Sequence, residues 1–330
     1  MKLTDFSLLS ISQYQIKLKT QFSTRLPVFL GSTLRGAFGH ALKDTVCIVN
    51  HRNCEKCMVV DKCSYPYLFE TSFTKAKTTT QNSQQIPHPF ILSSPLSPNS
   101  RPGDYQIFTP EKELTFDLTL IGRAIDYLPY IIYSLNQMAK KGLGLVNRTS
   151  FELDQVLSLD GSLSEIIYES KTEKLSSPTA SKLSNLVENR LTSLPTNISE
   201  QITLQFITPA RIRTQNQLQA ELSFPLLIRN LLRRMSLLCE FHAQELWQQN
   251  FAGLLKLASE VQTKTTTLRW WDFERYSNRQ KTHMKLGGFI GTVTYTGKAI
   301  REFLPLIIAG EFLHVGGSTS FGLGKYKIID

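Results

Sequence analysis

Near its end the chain crowds Gly316, Gly317, Gly322 and Gly324 around Phe321 and follows them with Lys325 and Lys327. Glycine lets a backbone approach a ligand closely and adopts positive-φ conformations barred to other residues. Exposed N–H groups beside lysines then suit an anionic ligand such as a phosphate backbone. The order of residues excludes two nucleotide loops. A P-loop needs Lys and then Ser or Thr directly after its second glycine, whereas Leu323 follows Gly322. A dinucleotide fingerprint needs a helix and, about 20 positions on, an acidic residue. Too few residues follow Gly324 for either. The tail therefore reads as a glycine loop entering a final strand over 325–329, not as an ATPase or dehydrogenase site.

Two other clusters could do chemistry. Cys47, Cys54, Cys57 and Cys63 form C-x6-C-x2-C-x5-C, a set that suits a tetrahedral structural zinc ion, since four thiolates leave no position open for catalysis. The competing readings are reduced thiols packing an insertion, or oxidised pairs. Arg269, Arg275, Arg279, Lys281 and Lys285 are interleaved with Trp270, Trp271, Phe273 and Tyr276. Cations neutralise phosphates and aromatic rings stack on unpaired bases. Here Arg275, Arg279, Lys281 and Lys285 read as RNA contacts and the tryptophans as core. Arg229 and Arg233, one helical turn apart, and the Arg211/Arg213 pair are weaker basic candidates.

The elements that must position these groups repeat. An alternating strand near 10–19 sets Ile16 and Leu18 against lysines, and a helix is predicted over 30–43. Residues 47–103 read as irregular. A strand over 113–121, a helix over 127–140, Gly142-Leu-Gly144 and a strand near 150–153 complete the first half. The second half runs strand (201–207), long amphipathic helix (225–257), hairpin (267–296), helix (297–309), glycine loop and strand. Both halves thus follow a βαββαβ plan, the ferredoxin-like arrangement, with Gly-x-Gly before the last strand. Residues 171–200, rich in Ser, Thr, Lys and Pro, read as a linker or surface excursion. The domains are accordingly 1–195 and 196–330.

At 330 residues two cores are affordable by size, and no apolar run approaches the ~20 residues of a membrane span. The N-terminus lacks a signal-peptide pattern, so a cytoplasmic location with reduced or metal-bound cysteines is expected. A net charge of +10 points to a polyanionic partner.

In order and spacing, several segments resemble the CRISPR-associated endoribonucleases of the RAMP superfamily that cut precursor CRISPR RNA, the Cas-six family. They are Leu34-Arg-Gly-Ala-Phe-Gly-His-Ala-Leu42, Cys63-Ser-Tyr-Pro-Tyr-Leu-Phe-Glu70, Arg269-Trp-Trp-Asp-Phe-Glu-Arg-Tyr-Ser-Asn-Arg-Gln280, Met284-Lys-Leu-Gly-Gly-Phe-Ile-Gly291 and the terminal glycine loop. The resemblance implies tandem ferredoxin-like (RRM-like) domains, a glycine loop on the repeat RNA, and cleavage without a metal or other cofactor. The 2′-hydroxyl would attack the scissile phosphate, leaving a 2′,3′-cyclic phosphate and a 5′-hydroxyl.

Such a reaction needs proton transfer and positive charge at the phosphate. His40 is the candidate proton-transfer group, since imidazole titrates near neutrality. It sits beside Gly36 and Gly39 on the predicted first helix, with Lys43 at i+3. The family implies a lysine and a tyrosine beside the histidine: Lys43 answers the first, and Tyr14 is the tyrosine considered. Arg35 is read as a phosphate contact or an interdomain cap. His314 reads as strand-end packing, His283 as an RNA contact, and His51, His88 and His242 as lacking companions. Expected partners are CRISPR repeat RNA and CRISPR effector proteins, with the chain a monomer or homodimer off the membrane. The competing function is a non-catalytic RAMP subunit that binds guide RNA. A general RRM protein is disfavoured because the aromatic RRM strand motif is absent.

Overall fold

The computed structural model describes residues 5–49, 53–70, 86–97, 99–144, 148–159, 164–176, 178–195, 200–214, 217–277 and 282–329, with the backbone alone at 275–277 and 282–284. The first half contains β1 (Ser10–Lys19), β2 (Thr24–Pro27), α1 (Gly31–Val46), α2 (Ser64–Phe69), β3 (Phe90–Ser93), β4 (Tyr105–Phe108), β5 (Leu114–Ile121), α3 (Leu128–Lys141), β6 (Glu152–Ser158), β7 (Glu165–Glu169), β8 (Ser181–Lys182) and α4 (Leu183–Ser193). The second contains β9 (Gln201–Ala210), β10 (Arg213–Thr214), β11 (Gln217–Leu218), α5 (Phe224–Leu238), α6 (Phe251–Ala258), β12 (Gln262–Thr266), β13 (Arg269–Ser277), β14 (Thr282–Thr296), α7 (Ile300–Leu313) and β15 (Tyr326–Ile329).

Alternation builds both sheets. In β1, Tyr14, Ile16 and Leu18 turn inward while Lys17 and Lys19 face out, and Lys19 pairs with Asp154 on β6 at 2.9 Å. The first sheet runs β3-β5-β1-β6-β7, antiparallel throughout, with β8 added to the start of β1. The second runs β12-β14-β9-β15, and β13 pairs with the far half of β14. Leaving out β7, β8 and β13, each sheet places its four framework strands in the order second, third, first, fourth. The protein is thus two tandem ferredoxin-like units.

Helices α1 and α3 cover one face of the first sheet, with Leu34, Phe38 and Leu42 meeting a core that includes Ile131, Leu135 and Met138. The core under α5 and α7 does not stop at its own sheet. It takes in Ile11, Ile91 and Ile121 from the first sheet and Leu183 and Val187 from α4. A third cluster joins Phe29 to Trp271, Phe273, Leu286, Ile290, Phe321 and Leu323. Each fully buried side chain of this kind is worth ~1.5–3 kcal/mol, so apolar packing across the halves fixes their relative position.

Three expectations need correction. The stretch read as irregular holds α2 and β3; β3 is four residues with every side chain buried, too short to alternate. The long helix expected over 225–257 is broken. After α5 the chain passes through a π-turn at Cys239–Ala243 and a left-handed Gln244 (φ 61°), and Trp247 tucks 5.8 Å from the Phe6 ring. Helix α6 restarts where Asn250 Oδ1 accepts from the Gly253 N–H. No proline or glycine marks this break. Finally, the expected linker contains α4, which packs on α7 and is tied to it by Arg190–Glu311 at 3.1 Å. Among the described residues, no helix is long and apolar enough to cross a membrane.

Candidate functional site

Helix α1 has two working edges. Leu34, Phe38, Ala41 and Leu42 repeat at helical spacing and are buried, which turns Gly36 and His40 outward. A methyl group placed on Gly36 would meet nothing within 4 Å, so open space lies one turn before the exposed imidazole. Lys43 is half-buried, with its ammonium 4.9 Å from the centre of the Tyr65 ring. Tyr14, the tyrosine considered for a triad, is wholly buried in the first core and cannot meet a solvent-borne substrate there.

The other edge of α1 docks on the glycine loop, and here the structure changes the reading of that loop. A Cβ on Gly31 would sit 1.9 Å from the Phe321 carbonyl oxygen, so α1 begins in backbone contact with the second unit. Gly322 (φ 80°) lies against the Leu92 carbonyl of β3, and Gly324 (φ 75°) against Val315. Four of the loop's N–H groups, expected to face an anion, are donated within the protein. Gly317 N–H goes to Arg211 O, Phe321 to Ser318 O, Gly322 to Thr319 O and Gly324 to Pro209 O. Gly322 and Gly324 are buried and serve packing; the exposed part of the loop is Gly317, flanked by half-exposed Gly316 and Ser318.

Two basic residues expected on RNA belong to the same seam. Arg35 Nε donates to Ser320 Oγ (3.0 Å), its terminal nitrogen donates to His88 Nε2 (3.1 Å), and its guanidinium lies over the Phe69 and Phe321 rings at 5.0 and 4.5 Å. It is the interdomain cap. Lys325 Nζ bonds Asp117 Oδ2 on β5 at 3.2 Å, which directs its charge to a protein carboxylate.

Three histidines sit in or beside this seam as neutral rings. A carbonyl only accepts and a guanidinium only donates. His88 therefore donates Nδ1–H to Leu68 O (3.0 Å) and accepts from Arg35 at Nε2. His242 donates Nε2–H to Pro87 O (2.7 Å) and accepts from the Tyr67 hydroxyl (3.1 Å). His314, at φ 59°, donates Nδ1–H to Leu323 O (3.1 Å). Burial lowers their pKa values to about 3, about 4 and about 3, with nearby Arg35 adding to the effect at His88 and Lys325 at His314. His314 is packing, as expected. The partners of His88 and His242 were invisible in sequence, because Tyr67 and His242 are 175 positions apart. Of the four histidines whose side chains are described, His40 is the exposed one.

On the basic hairpin, Lys285 is exposed, while Arg275, Arg279 and Lys281, like His283 and His51, fall outside the described side chains. Trp271 is core, 1% exposed, and donates to Ser100 O; Trp270 departs from the core reading at 40% exposed. Arg211 hydrogen-bonds Gly287 O and lies beneath the loop. Arg229 and Arg233 are exposed, whereas Arg234 is buried, donates to Leu313 O at 2.7 Å, and has its pKa lowered to about 9 by burial.

Cys47, Cys54, Cys57 and Cys63 all line one small cavity at the C-terminal end of α1, beside Lys43 and Tyr65. All four are free thiols, and burial raises the pKa of Cys54 and of Cys63.

Comparison with known proteins fits this architecture. Residues 8–180 match the N-terminal domain family AF_1859_N, and residues 204–326 match the family model of the CRISPR-associated endoribonuclease Cas6. An Archaeoglobus fulgidus protein described as uncharacterized is 26% identical over 311 residues, covering 92% of each chain. Among solved structures, a Cas6 product complex superposes with a TM-score of 0.56 at 17% identity, over 97% of this chain and 99% of that one. A Thermus thermophilus Cas6 gives 0.52 at 16% identity over 97% and 99%. A partial Cas6-RT-Cas1–Cas2 complex gives 0.59 at 14% identity, over 98% of this chain and 46% of that chain. At these identities the superpositions establish a shared fold.

Proposed function

We propose that the chain, which matches the AF_1859_N N-terminal domain family over residues 8–180 and the Cas6 endoribonuclease model over residues 204–326, cuts precursor CRISPR RNA within its repeats without a metal ion. In the proposed step the 2′-hydroxyl oxygen bonds to the adjacent phosphorus and the P–O5′ bond breaks. One proton leaves the 2′-hydroxyl and one reaches the departing 5′-oxygen, giving a 2′,3′-cyclic phosphate and a 5′-hydroxyl. His40 is the proposed proton-transfer group, and Lys43, at i+3 along α1, the nearby positive charge. Lys285 and the hairpin cations Arg275, Arg279 and Lys281 are the proposed phosphate contacts, together with the exposed edge of the loop at Gly316 and Gly317. Arg35, Gly322, Gly324 and Lys325 act instead in holding the two units together.

One observation carries this reading. His40 stands exposed on α1 beside the open space at Gly36, while burial holds His88, His242 and His314 neutral in hydrogen bonds that leave them no proton to exchange. The test is incubation of wild type and His40→Ala with repeat RNA in EDTA, with product ends analysed. Wild type should yield cyclic-phosphate ends, and His40→Ala should cut ~10²–10⁴-fold more slowly while binding RNA with unchanged affinity. Cleavage that requires a divalent ion would overturn the mechanism. Binding without any cleavage by wild type would favour the non-catalytic guide-RNA subunit.

A further inference from the structure

Between Cys47 and Cys63 the described residues, 47–49 and 53–63, build no buried core. None of them is buried, and Ile48 and Met58 stand 80% and 92% exposed. Yet their backbone follows a defined path. Cys57 N–H donates to Cys54 O (3.2 Å), Val60 N–H to Cys57 O (3.2 Å) and Lys62 N–H to Val59 O (3.1 Å), while Asn53 Oδ1 accepts from Glu55 N–H (2.9 Å). A run of turns without an apolar core does not hold one conformation in water, because ordering each residue costs ~1–2 kcal/mol. What this segment turns inward is its cysteines. Cys47 ends α1, Cys54 and Cys57 bracket a 3₁₀ turn, and Cys63 precedes α2. From these four positions the cysteines line one cavity of about 20 Å³.

That volume holds one water or one ion. Apart from Lys43 and Asn53, the remaining lining is Val46, Ile48, Val49, Val59, Tyr65 and Pro66, a poor site for a water, which needs several polar partners. Soft thiolates in an otherwise apolar shell suit a soft cation held tetrahedrally. Among the described residues no three Cys, His, Asp or Glu side chains already stand at metal-holding separations, so binding requires the thiols to rotate inward. Lys43 fits the same account: a divalent ion with four thiolates carries two negative charges, and a lysine lines the cavity.

We propose that Cys47, Cys54, Cys57 and Cys63 bind one structural zinc ion that folds the segment between α1 and α2. The site supplies no catalytic step, since four thiolates complete the coordination; the proposal does not rest on the reaction proposed above, although Lys43 borders both.

The test measures metal on the intact chain purified under reducing conditions, loaded with zinc and desalted. About one zinc per chain is expected, released when a mercurial titrates the thiols. Cobalt in place of zinc should give the ligand-field absorption of a tetrahedral tetrathiolate. Cys54→Ser/Cys57→Ser should lose the metal, and a chelator should open Lys56 and Lys62 to trypsin. Zinc retained in full by that variant would overturn the proposal. So would wild type that keeps no zinc, or whose mass before reduction shows the cysteines paired as disulfides. The wild-type measurements decide the matter even if the variant fails to fold.

Discussion

At the seam, α1 begins in contact with Phe321, and Arg35 reaches His88 and Ser320. On its outer face the same helix leaves Gly36 open and His40 in solvent. Both regions hold a histidine and a glycine, and their environments give them opposite uses. At the seam, glycine removes a clash between two backbones, and imidazole becomes a neutral bracket between a carbonyl and a donor. On the outer face, glycine leaves open space and the imidazole stands exposed. Residue type alone does not separate a structural histidine from a chemical one; burial and the hydrogen-bond partner do.

The strongest way to break this comparison is acid. His88, His242 and His314 have folded-state pKa values of about 3, about 4 and about 3 against a reference of 6.5. A depressed folded pKa contributes stability fully present above pH 6.5, lost as the pH falls toward the folded value, because the unfolded chain takes up the proton first. Between pH 7 and pH 5 each buried ring should cost about 2 kcal/mol, so the set should cost about 4–6 kcal/mol. Urea unfolding at the two pH values measures it. A stability that stays flat across this range would mean that the seam does not hold these rings neutral.

How much of this was legible follows from what each feature depends on. The strands β1, β5 and β9 and the helix α3 were readable because alternation and helical spacing are local properties. So was the helical placement of His40, in a glycine-flanked segment. The interruption after α5 was not, since residues 239–250 contain no proline or glycine and the break follows from Trp247 finding a site beside Phe6. The glycine loop was found, but the packing of Gly322 and Gly324 was not. Its glycines answer to Leu92, Val315 and Arg211, which lie elsewhere in sequence and meet the loop only in the folded chain. For the same reason Lys325 looked like a phosphate ligand and Arg35 stayed open between phosphate contact and interdomain cap, their partners Asp117 and Ser320 being 208 and 285 positions away.

Gly322→Ala sharpens the distinction at the level of backbone. Gly322 has φ 80°, and a Cβ there would lie 2.4 Å from the Leu92 carbonyl oxygen. Gly103 has a similar φ of 86° with nothing within 4 Å. Gly103→Ala should cost only the left-handed penalty, ~1–2 kcal/mol. Gly322→Ala should add a clash between the two units and total ~2–4 kcal/mol. Thermal unfolding of both variants isolates the seam as their difference. Equal losses would show that Gly322 is needed for its turn alone and not for docking on β3.

The smallest expected effect carries the most information about the outer face. Gly36 lies inside α1 with ordinary helical φ and no neighbour where a methyl group would go. Replacing an exposed helical glycine by alanine should stabilise the protein by ~0.5–1 kcal/mol. If Gly36 were only a weak spot in the helix, cleavage would be unaffected. If its open space admits the RNA beside His40, the added methyl should slow cleavage at saturating RNA while the melting temperature rises. A variant that is both more stable and as active as wild type would remove Gly36 from the proposed site and leave His40 to be reached from the other side of the helix.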